Sequence, residues 1–352
     1  MTTGVHLDGK RGLSPGRILF HLAALAAVGA PVVFAFAALS GVDHRWVDIF
    51  AQFLAPVFVV AVVEVAGCLA LRQRFWAAAA GGAAALLLIA VWPEWFPPRG
   101  QAQPGAPVVR LYSANVWTEN ANVTAIDASI RQADPDIVVL VEIGMAADDR
   151  LSAALERFPY RLGRPDLDRP NPGARSVIAS RYPLTPIPGG GDGLNAHGAR
   201  IDTPLGPVNV FGVHLTRPWP FMPAEGQIIQ AAALAGRLDG LEAPVIVAGD
   251  FNSVSDARIG RQIKAQTGLV PAPGFPGTWP AALPSPLAVT IDQVWRSPDL
   301  ALLSRRTLGP VGSDHRPVLV EVTRAERPPA APDARRGPLP GSPRPSTPPR
   351  TP

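Results

Sequence analysis

Three long apolar stretches in the first hundred residues constrain this chain more than any other feature. They run over residues 19–40, 49–71 and 75–96, and each is long enough to cross a hydrocarbon core, which needs about 20 apolar residues. Glu64 lies in the second stretch, where a mid-membrane acid costs about 2.5–3.5 kcal/mol, but the surrounding Leu, Ile, Phe and Val residues outweigh that cost. The sequence therefore predicts three transmembrane helices.

The distribution of positive charge predicts their orientation. Lys10, Arg11 and Arg17 precede the first stretch, and two arginines lie between the second and the third. Because Lys and Arg accumulate on the cytoplasmic side, residues 1–17 form a cytoplasmic tail and everything after residue 97 lies outside the cytoplasm. A cleaved signal peptide is the alternative for the first stretch, but its apolar run exceeds the usual length of about 7–15 residues. We expect a multi-pass protein of the cell membrane.

The remainder divides into three parts by composition. Residues 97–106 are rich in Pro and Gly and read as an extended linker. Residues 325–352 contain ten prolines with few apolar side chains and predict a disordered Pro/Arg-rich tail. Residues 107–324 form the globular part, with 20 basic and 21 acidic residues. This balance lacks the bulk positive charge typical of nucleic-acid binding, and the single cysteine, Cys68, excludes an internal disulfide framework.

Short strand-like runs alternate with helical patterns in the globular part. Helical patterns cover residues 123–131, 147–157, 225–238 and 256–266, and the run 199–215 predicts a hairpin that turns at 204–207. Strands mixed with helices indicate an α/β domain with one mixed sheet or a pair of sheets.

Polar side chains gather at the ends of these strands, where α/β proteins usually build their sites. Each has an ordinary alternative when taken alone: Gly-Asp-x-Asn is common turn chemistry, and a histidine that ends a strand is more often a hydrogen-bonded core residue. Together they are the types of side chain that hold Mg²⁺ and phosphate. The set is Asn115, Glu142, His214, Asp250, Asn252, Asp292, Asp314 and His315.

The order N…E…H…GDFN…D…SDH, with SRYP at 180–183, resembles the endonuclease/exonuclease/phosphatase superfamily of metal-dependent phosphoesterases over roughly residues 107–324. The preceding spans are similar to a bacterial membrane-anchored branch. The resemblance implies a four-layer α/β sandwich, two packed mixed sheets flanked by helices. It also implies Glu142 as the principal Mg²⁺ ligand, with Asn115 and Asp314 near the metal and Mn²⁺ as a possible substitute. Trp117 stands where several nuclease members carry an acid.

The same resemblance implies catalytic roles for the remaining residues. His214 and Asn252 would donate hydrogen bonds to phosphate oxygens, and Asp250 would orient or deprotonate the attacking water. Asp292 would pair with His315. In-line hydrolysis of a phosphoester needs neutralised oxygens, an aligned water and a stabilised leaving oxygen.

These expectations combine into a membrane-anchored, Mg²⁺-dependent phosphoesterase that acts on a phosphodiester or phosphomonoester. Its expected partners are the lipid bilayer and a phosphoester substrate, which is a lipid head group, a nucleotide or a nucleic acid; no protein partner is predicted. A nuclease acting on extracytoplasmic DNA or RNA is one alternative. A non-catalytic binding module on the same fold is the other.

Overall fold

The computed structural model describes residues 14–42, 44–144, 148–163, 175–189, 192–218, 224–242 and 244–326. The N-terminal region consists of four helices: α1 (Pro15–Leu39), α2 (Arg45–Gln52), α3 (Leu54–Ala70) and α4 (Arg74–Trp95). The predicted disordered tail lies outside the described residues from 327 onward, as do residues 1–13 of the predicted cytoplasmic tail.

Two of these helices, α1 and α4, are long and apolar enough to cross a membrane. The second predicted stretch, 49–71, is not one straight helix, because α2 and α3 meet at an angle of 58°. Pro56 contributes to the break, because it cannot donate a hydrogen bond to the carbonyl of Gln52 and its ring crowds that carbonyl, although α1 and α4 continue past Pro31 and Pro93. Counting the bent pair as one span gives up to three spans among the described residues.

The three long helices pack in alternating directions. Near one end of the bundle, Val28 of α1 packs with Trp76 of α4 and with partly buried Cys68 of α3. Near the other end, Ala35 of α1 packs with Leu54 of α3. The end of α1, the start of α3 and the end of α4 therefore lie together at the end of the bundle that adjoins the globular domain.

The globular domain contains two six-stranded sheets. The first sheet has the order β11-β12-β1-β2-β4-β3, and the second has the order β5-β6-β7-β8-β10-β9. The strands are β1 (Val109–Asn115), β2 (Ile137–Val141), β3 (Tyr160–Leu162), β4 (Ser176–Ser180), β5 (Leu184–Ile187), β6 (Ala196–Thr203), β7 (Gly206–His214), β8 (Val245–Asp250), β9 (Val270–Pro271), β10 (Asp292–Arg296), β11 (Leu300–Thr307) and β12 (Val318–Arg324). Both sheets are mixed, because β1–β2 and β7–β8 are parallel while the other pairs are antiparallel.

Helices cover the outer faces of both sheets. One apolar cluster joins the first sheet to α5 (Val123–Ala133) and α6 (Asp148–Ala154). Another joins the second sheet to α7 (Glu225–Leu238) and α8 (Arg258–Thr267). A third lies between the sheets, as expected when the strands of both sheets bury side chains on each face. The predicted pair of mixed sheets flanked by helices is confirmed.

Local predictions agree with these elements. The predicted helix over 225–238 has the observed bounds of α7, and the predicted hairpin is β6–β7, in which Thr203 pairs with Gly206. β3, β5, β9 and β11 were not predicted, because they are short or carry several exposed positions. Residues 97–106 contain a turn at 104–105 and are hydrogen-bonded to the domain, for example from the amide of Gln103 to the carbonyl of Arg324 at 2.9 Å.

Candidate active site

The strand ends that carry the predicted site residues meet at one edge of the two sheets. In the second sheet, β7 and β8 run parallel with His214 beside Asp250. β10 runs antiparallel to β8 and places Asp292 beside Asp250 from its other side. Asp292 thus begins its strand rather than ending it, and the antiparallel direction brings it to the shared edge. In the first sheet, Asn115 ends β1 opposite Val141, the residue before Glu142.

The backbone adopts left-handed conformations at this edge. Glu142 has φ 56° and Asn252 has φ 46°, and such strained non-glycine residues cluster at functional sites. Gly249 has φ 142°, and a Cβ there would lie 2.0 Å from the carbonyl oxygen of Val213. Only glycine fits between β7 and β8 at this point, so the GD dipeptide of the motif fixes where Asp250 emerges.

Asp250 is the centre of the cluster and is 1% exposed. Its Oδ2 accepts a hydrogen bond from Asn115 Nδ2 at 3.0 Å, and its Oδ1 accepts one from the amide of Asn252 at 2.7 Å. Two histidine Nε2 atoms approach Oδ2 from different sides, His214 at 3.9 Å and His315 at 3.8 Å. Burial raises the pKa of Asp250 to about 6, although both histidines oppose the shift. This carboxyl can therefore exchange a proton near neutral pH.

His214 belongs to a pair that faces the cavity. Its Nε2 lies 3.0 Å from Glu142 Oε1 and 3.3 Å from Asn252 Nδ2. Burial would raise the pKa of Glu142, but the hydrogen bond and charge of His214 outweigh it and lower the pKa below its ordinary value. Asn115 adds a further hydrogen bond to this carboxylate. Glu142 is therefore held in the charged form that binds a cation.

His315 belongs to a second, buried pair. Its Nδ1 lies 2.8 Å from Asp292 Oδ2, and its amide donates to Ser313 Oγ at 3.0 Å, which in turn donates to the carbonyl of Asn115. Burial would lower the pKa of His315, but the charges of Asp292 and Asp250 and the Asp292 hydrogen bond together raise it to about 10. The imidazole is therefore a cation at neutral pH with its second nitrogen turned towards Asp250.

Asp314 points differently from its neighbour His315. Its side chain is 46% exposed, and its Oδ2 accepts a hydrogen bond from Trp279 Nε1 at 3.1 Å. The structure brings Asp314 to the same cavity as Glu142. Arg316, next along the chain, turns away and binds the carbonyls of Ala281 and Leu283.

A cavity of about 560 Å³ opens in front of this cluster. Its walls include three residues that the sequence did not single out for a site, Gln52, Phe53 and Trp279. Trp279 lies in a loop rich in apolar residues, and this composition is only a weak sequence signal for a site residue. Gln52 and Phe53 belong to the predicted second span, so hydropathy alone assigned them to the membrane.

A smaller polar cavity of about 10 Å³ lies behind Asp292. It is lined by Glu94 at the end of α4 and by Arg305 on β11, which the sequence also did not single out. Asp292 Oδ1, Glu94 Oε1 and Arg305 Nη2 are buried there without a hydrogen-bond partner among the described residues. A space of this size with several polar walls suits one water molecule.

The donor set fits a hard divalent cation. Among the described residues, two groups bring three ligand atoms within 4.8 Å of one another: Glu142, His214 and Asp250, and Asp250, Asp292 and His315. Carboxylate oxygens predominate over nitrogen, and no thiolate lines the cavity, which favours Mg²⁺ or Mn²⁺ over softer metals.

Residues 112–315 match the model of the endonuclease/exonuclease/phosphatase family. No curated protein matches the chain. Similar solved structures include the endonuclease/exonuclease/phosphatase from Bacteroides vulgatus, 17% identical with a TM-score of 0.50 over 62% of this chain and 99% of that one. Another is the endonuclease/exonuclease/phosphatase from Beutenbergia cavernae DSM 12333, 22% identical with a TM-score of 0.46 over 62% of this chain and 72% of that one. At 17% identity, the similarity to the Bacteroides vulgatus structure concerns the fold alone.

Proposed function

Because the chain belongs to the endonuclease/exonuclease/phosphatase family, we propose that it is a Mg²⁺-dependent phosphoesterase that hydrolyses its substrate by in-line attack of water. One observation carries the proposal. A buried carboxylate, Asp250, lies between two histidines, while Glu142 and Asp314 face the same cavity. A binding module has no need for a buried cationic histidine fixed by its own carboxylate.

Glu142 is the proposed principal Mg²⁺ ligand, with the side chains of Asp314 and Asn115 beside it. The lowered pKa of Glu142 supports this role, because a hard cation needs the charged carboxylate. Asp314, half-exposed and hydrogen-bonded by Trp279, lines the same cavity as Glu142. When bound, the cation neutralises the phosphate oxygens and stabilises charge on the leaving oxygen. Mn²⁺ shares these ligand preferences.

Asp250 is the proposed base that orients and deprotonates the attacking water. Its pKa of about 6 suits this step, since a base works best when its pKa lies near the operating pH. His214 and Asn252 are the proposed donors to the phosphate oxygens; their side chains lie 3.3 Å apart and line the cavity. The His315 cation, fixed by Asp292, adds positive charge on the side of Asp250.

The N-terminal helices are the proposed membrane anchor. We propose three spans, with the bent pair α2–α3 as the second, the N-terminal tail in the cytoplasm and a catalytic domain of residues 107–324 outside it. The packing of α1, α3 and α4 supports this topology, because an odd number of alternating spans puts the start of α1 and the end of α4 on opposite sides. The linker at 97–106 then emerges on the domain's side. We propose on this basis that the chain belongs to a membrane-anchored branch of the family.

The test is metal-dependent turnover by the full chain in detergent or nanodiscs. The substrate is a soluble chromogenic phosphodiester, assayed with Mg²⁺, with Mn²⁺ and with EDTA. Glu142→Gln should lose turnover, while Glu242→Gln, an exposed acid outside the cavity, should not. Absence of metal-dependent turnover on any phosphoester of a broad panel, with DNA and RNA included, would favour the binding-module alternative.

A further inference from the structure

Part of the wall of the catalytic cavity comes from the N-terminal helices. Gln52 ends α2, Phe53 lies at the break before α3, and both line the cavity that contains Glu142 and His315. Gln52 is buried at 3% exposure. In the sequence this wall lies 63 residues before Asn115 and 263 residues before His315, so the cavity is complete only when the helices are in place.

The contact between α2 and the domain is specific. Gln52 Oε1 accepts a hydrogen bond from the amide of Val254 at 2.9 Å, and its Nε2 donates to Ser253 Oγ at 3.2 Å. Asp48, one turn earlier, accepts from the amide of Arg258 at 2.7 Å, where α8 begins. A carboxylate at a helix N-terminus is stabilised by the unpaired amides there. α2 is therefore fixed to the segment that directly follows Asp250 and Asn252.

An apolar seam supports the polar contacts. Ala51 of α2 packs against Val254 and Ala257 of the domain. Next to it, α3 packs against the 3₁₀ turn Ser285–Leu287. Two apolar residues of the same loop region, Val289 and Ile291, line the cavity together with Phe53. The cavity therefore has apolar wall residues near α3 in addition to the carboxylates and histidines of the cluster.

The cavity lies at the level where the helices would leave a bilayer. α3 begins at Leu54, directly after Phe53, and α4 ends near the same level. Exposed aromatic side chains surround this end of the bundle, with Trp46 and Trp92 both 52% exposed. Tryptophan is enriched at membrane–water interfaces. With 17 residues, α3 covers only about 25 Å, so the amphipathic α2 would complete the second span at its domain-side end.

We propose that the substrate is a phosphoester of a lipid in the same bilayer, whose head group enters the cavity beside Gln52 and Phe53 while its apolar part stays with α3. This inference rests on the proposed hydrolytic function. A cavity of about 560 Å³ is in the range of small-molecule sites, about 300–1,000 Å³. Specific recognition of duplex DNA instead buries about 1,000–2,500 Å² of strongly basic surface, and residues 107–324 are nearly neutral.

The first experiment compares two substrates of the full chain. Nanodiscs of phosphatidylethanolamine and phosphatidylglycerol provide the bilayer lipid, and a soluble chromogenic phosphodiester reports the basic chemistry. We expect Mg²⁺-dependent release of the lipid head group or its phosphate. The bilayer raises the effective concentration of a lipid substrate at the cavity wall that Phe53 forms. Phe53→Ala removes part of that wall and should lower the ratio of lipid turnover to soluble turnover by about tenfold or more. Phe20→Ala, an exposed aromatic residue at the far end of α1, should leave the ratio unchanged.

The possible outcomes distinguish the lipid substrate from the proposed phosphoesterase function. Turnover of the soluble phosphodiester without turnover of bilayer lipid overturns the lipid substrate and leaves the proposed function standing. An unchanged ratio in Phe53→Ala overturns the role of the helical wall. Absence of metal-dependent turnover on both substrates overturns the two proposals together.

A second measurement does not depend on activity. Cys68 is the single cysteine, so Cys68→Ser with Phe53→Cys allows one fluorescent label at the cavity wall. A lipid with a nitroxide on its head group should quench this label strongly. The same label at Ser152→Cys, an exposed position of α6, should be quenched weakly. Equal quenching at both positions would show that the cavity does not adjoin the bilayer surface.

Discussion

Two histidine–carboxylate pairs flank Asp250, and they differ mainly in burial. In the open pair, the side chains of His214 and Glu142 are 17% and 21% exposed; in the closed pair, those of His315 and Asp292 are 7% and 1% exposed. Contact lengths are similar, 3.0 Å and 2.8 Å, and both imidazoles approach Asp250 to within 4 Å. Both contacts join an imidazole to a carboxylate, through Nε2 of His214 and through Nδ1 of His315, and burial separates them further.

Burial makes a charged pair both stronger and harder to exchange. In the closed pair the low local dielectric strengthens the attraction, and His315 is held as a cation with its pKa near 10. In the open pair, Glu142 faces the cavity and can bind a cation in place of His214. His214 can then donate a hydrogen bond to a phosphate oxygen. The closed pair therefore suits fixed transition-state stabilisation, and the open pair suits ligand binding.

The largest expected effect comes from breaking the closed pair. We expect Asp292→Asn and His315→Ala each to lower kcat by roughly 10²- to 10⁴-fold, the usual contribution of a positioned acid or base. Because the two residues act as a unit, the double variant should be little slower than His315→Ala alone. The measurement is kcat at saturating Mg²⁺ on the soluble phosphodiester.

Asp299→Asn is the matched control, since Asp299 is exposed and lies seven residues further along. Its rate should equal that of the unchanged protein. Fully additive losses in the double variant, or an Asp292→Asn protein of normal rate, would show that the closed pair is not a functional unit.

The open pair should respond through the metal instead. Glu142→Gln keeps the shape of the side chain but removes the charge that a hard cation needs. We expect the Mg²⁺ concentration for half-maximal activity to rise by at least the roughly 10- to 100-fold that follows the loss of an outer-shell partner. Glu242→Gln is the control. An unaltered Mg²⁺ requirement in Glu142→Gln would show that the metal does not bind at the open pair.

Much of this comparison was accessible from the sequence. The strand-end residues, the bounds of α7 and the β6–β7 hairpin follow from local patterns of period 2 or 3.6, which depend only on nearby residues. The Asp292–His315 pairing was expected from the family resemblance, and the structure brings the two atoms to 2.8 Å. The difference in burial between the pairs was not predicted, since it depends on how the two sheets and the helices close around the edge.

The contributions of the N-terminal helices lay beyond local patterns. Gln52 reaches Val254 across 202 positions, and Glu94 reaches the cavity behind Asp292 from the end of α4. Hydropathy treats both as isolated polar residues in or beside a span. Pro56 alone would not have predicted the break after Gln52, because α1 and α4 continue past Pro31 and Pro93.

A smaller effect should come from the support behind the closed pair. The charges of Asp292 and Glu94 both act on Arg305, whose pKa burial lowers to about 10. Arg305→Met would leave the buried Asp292 carboxylate without this cation, and removing one partner of a buried charge pair costs up to about 3–5 kcal/mol. We expect a lower Tm, with kcat reduced by less than about tenfold because the pair itself remains. Arg306→Met, exposed on the same strand, is the control; an equal Tm in both variants would exclude Arg305 from this support.

The smallest expected effect is a shift in the pKa of His315, measured in the EDTA-treated protein. His315 has a pKa of about 10 in the fold, above its ordinary value near 6.5. The protonated form is therefore favoured, and the stability it contributes is complete below about pH 6.5 and is lost as the pH rises through 10. NMR of ¹⁵N-labelled histidine should show His315 still cationic at pH 8.

Asp292→Asn should lower that pKa, because it removes the charge that raises it and leaves the burial that lowers it. Asp314→Asn should lower it less, since Asp314 Oδ1 is 3.8 Å from the ring and half-exposed to water, which screens its charge. A larger shift in Asp314→Asn than in Asp292→Asn would mean that the exposed carboxylate dominates. Burial would then not distinguish the two pairs, and the closed pair, like the open one, would be governed by groups exposed to solvent.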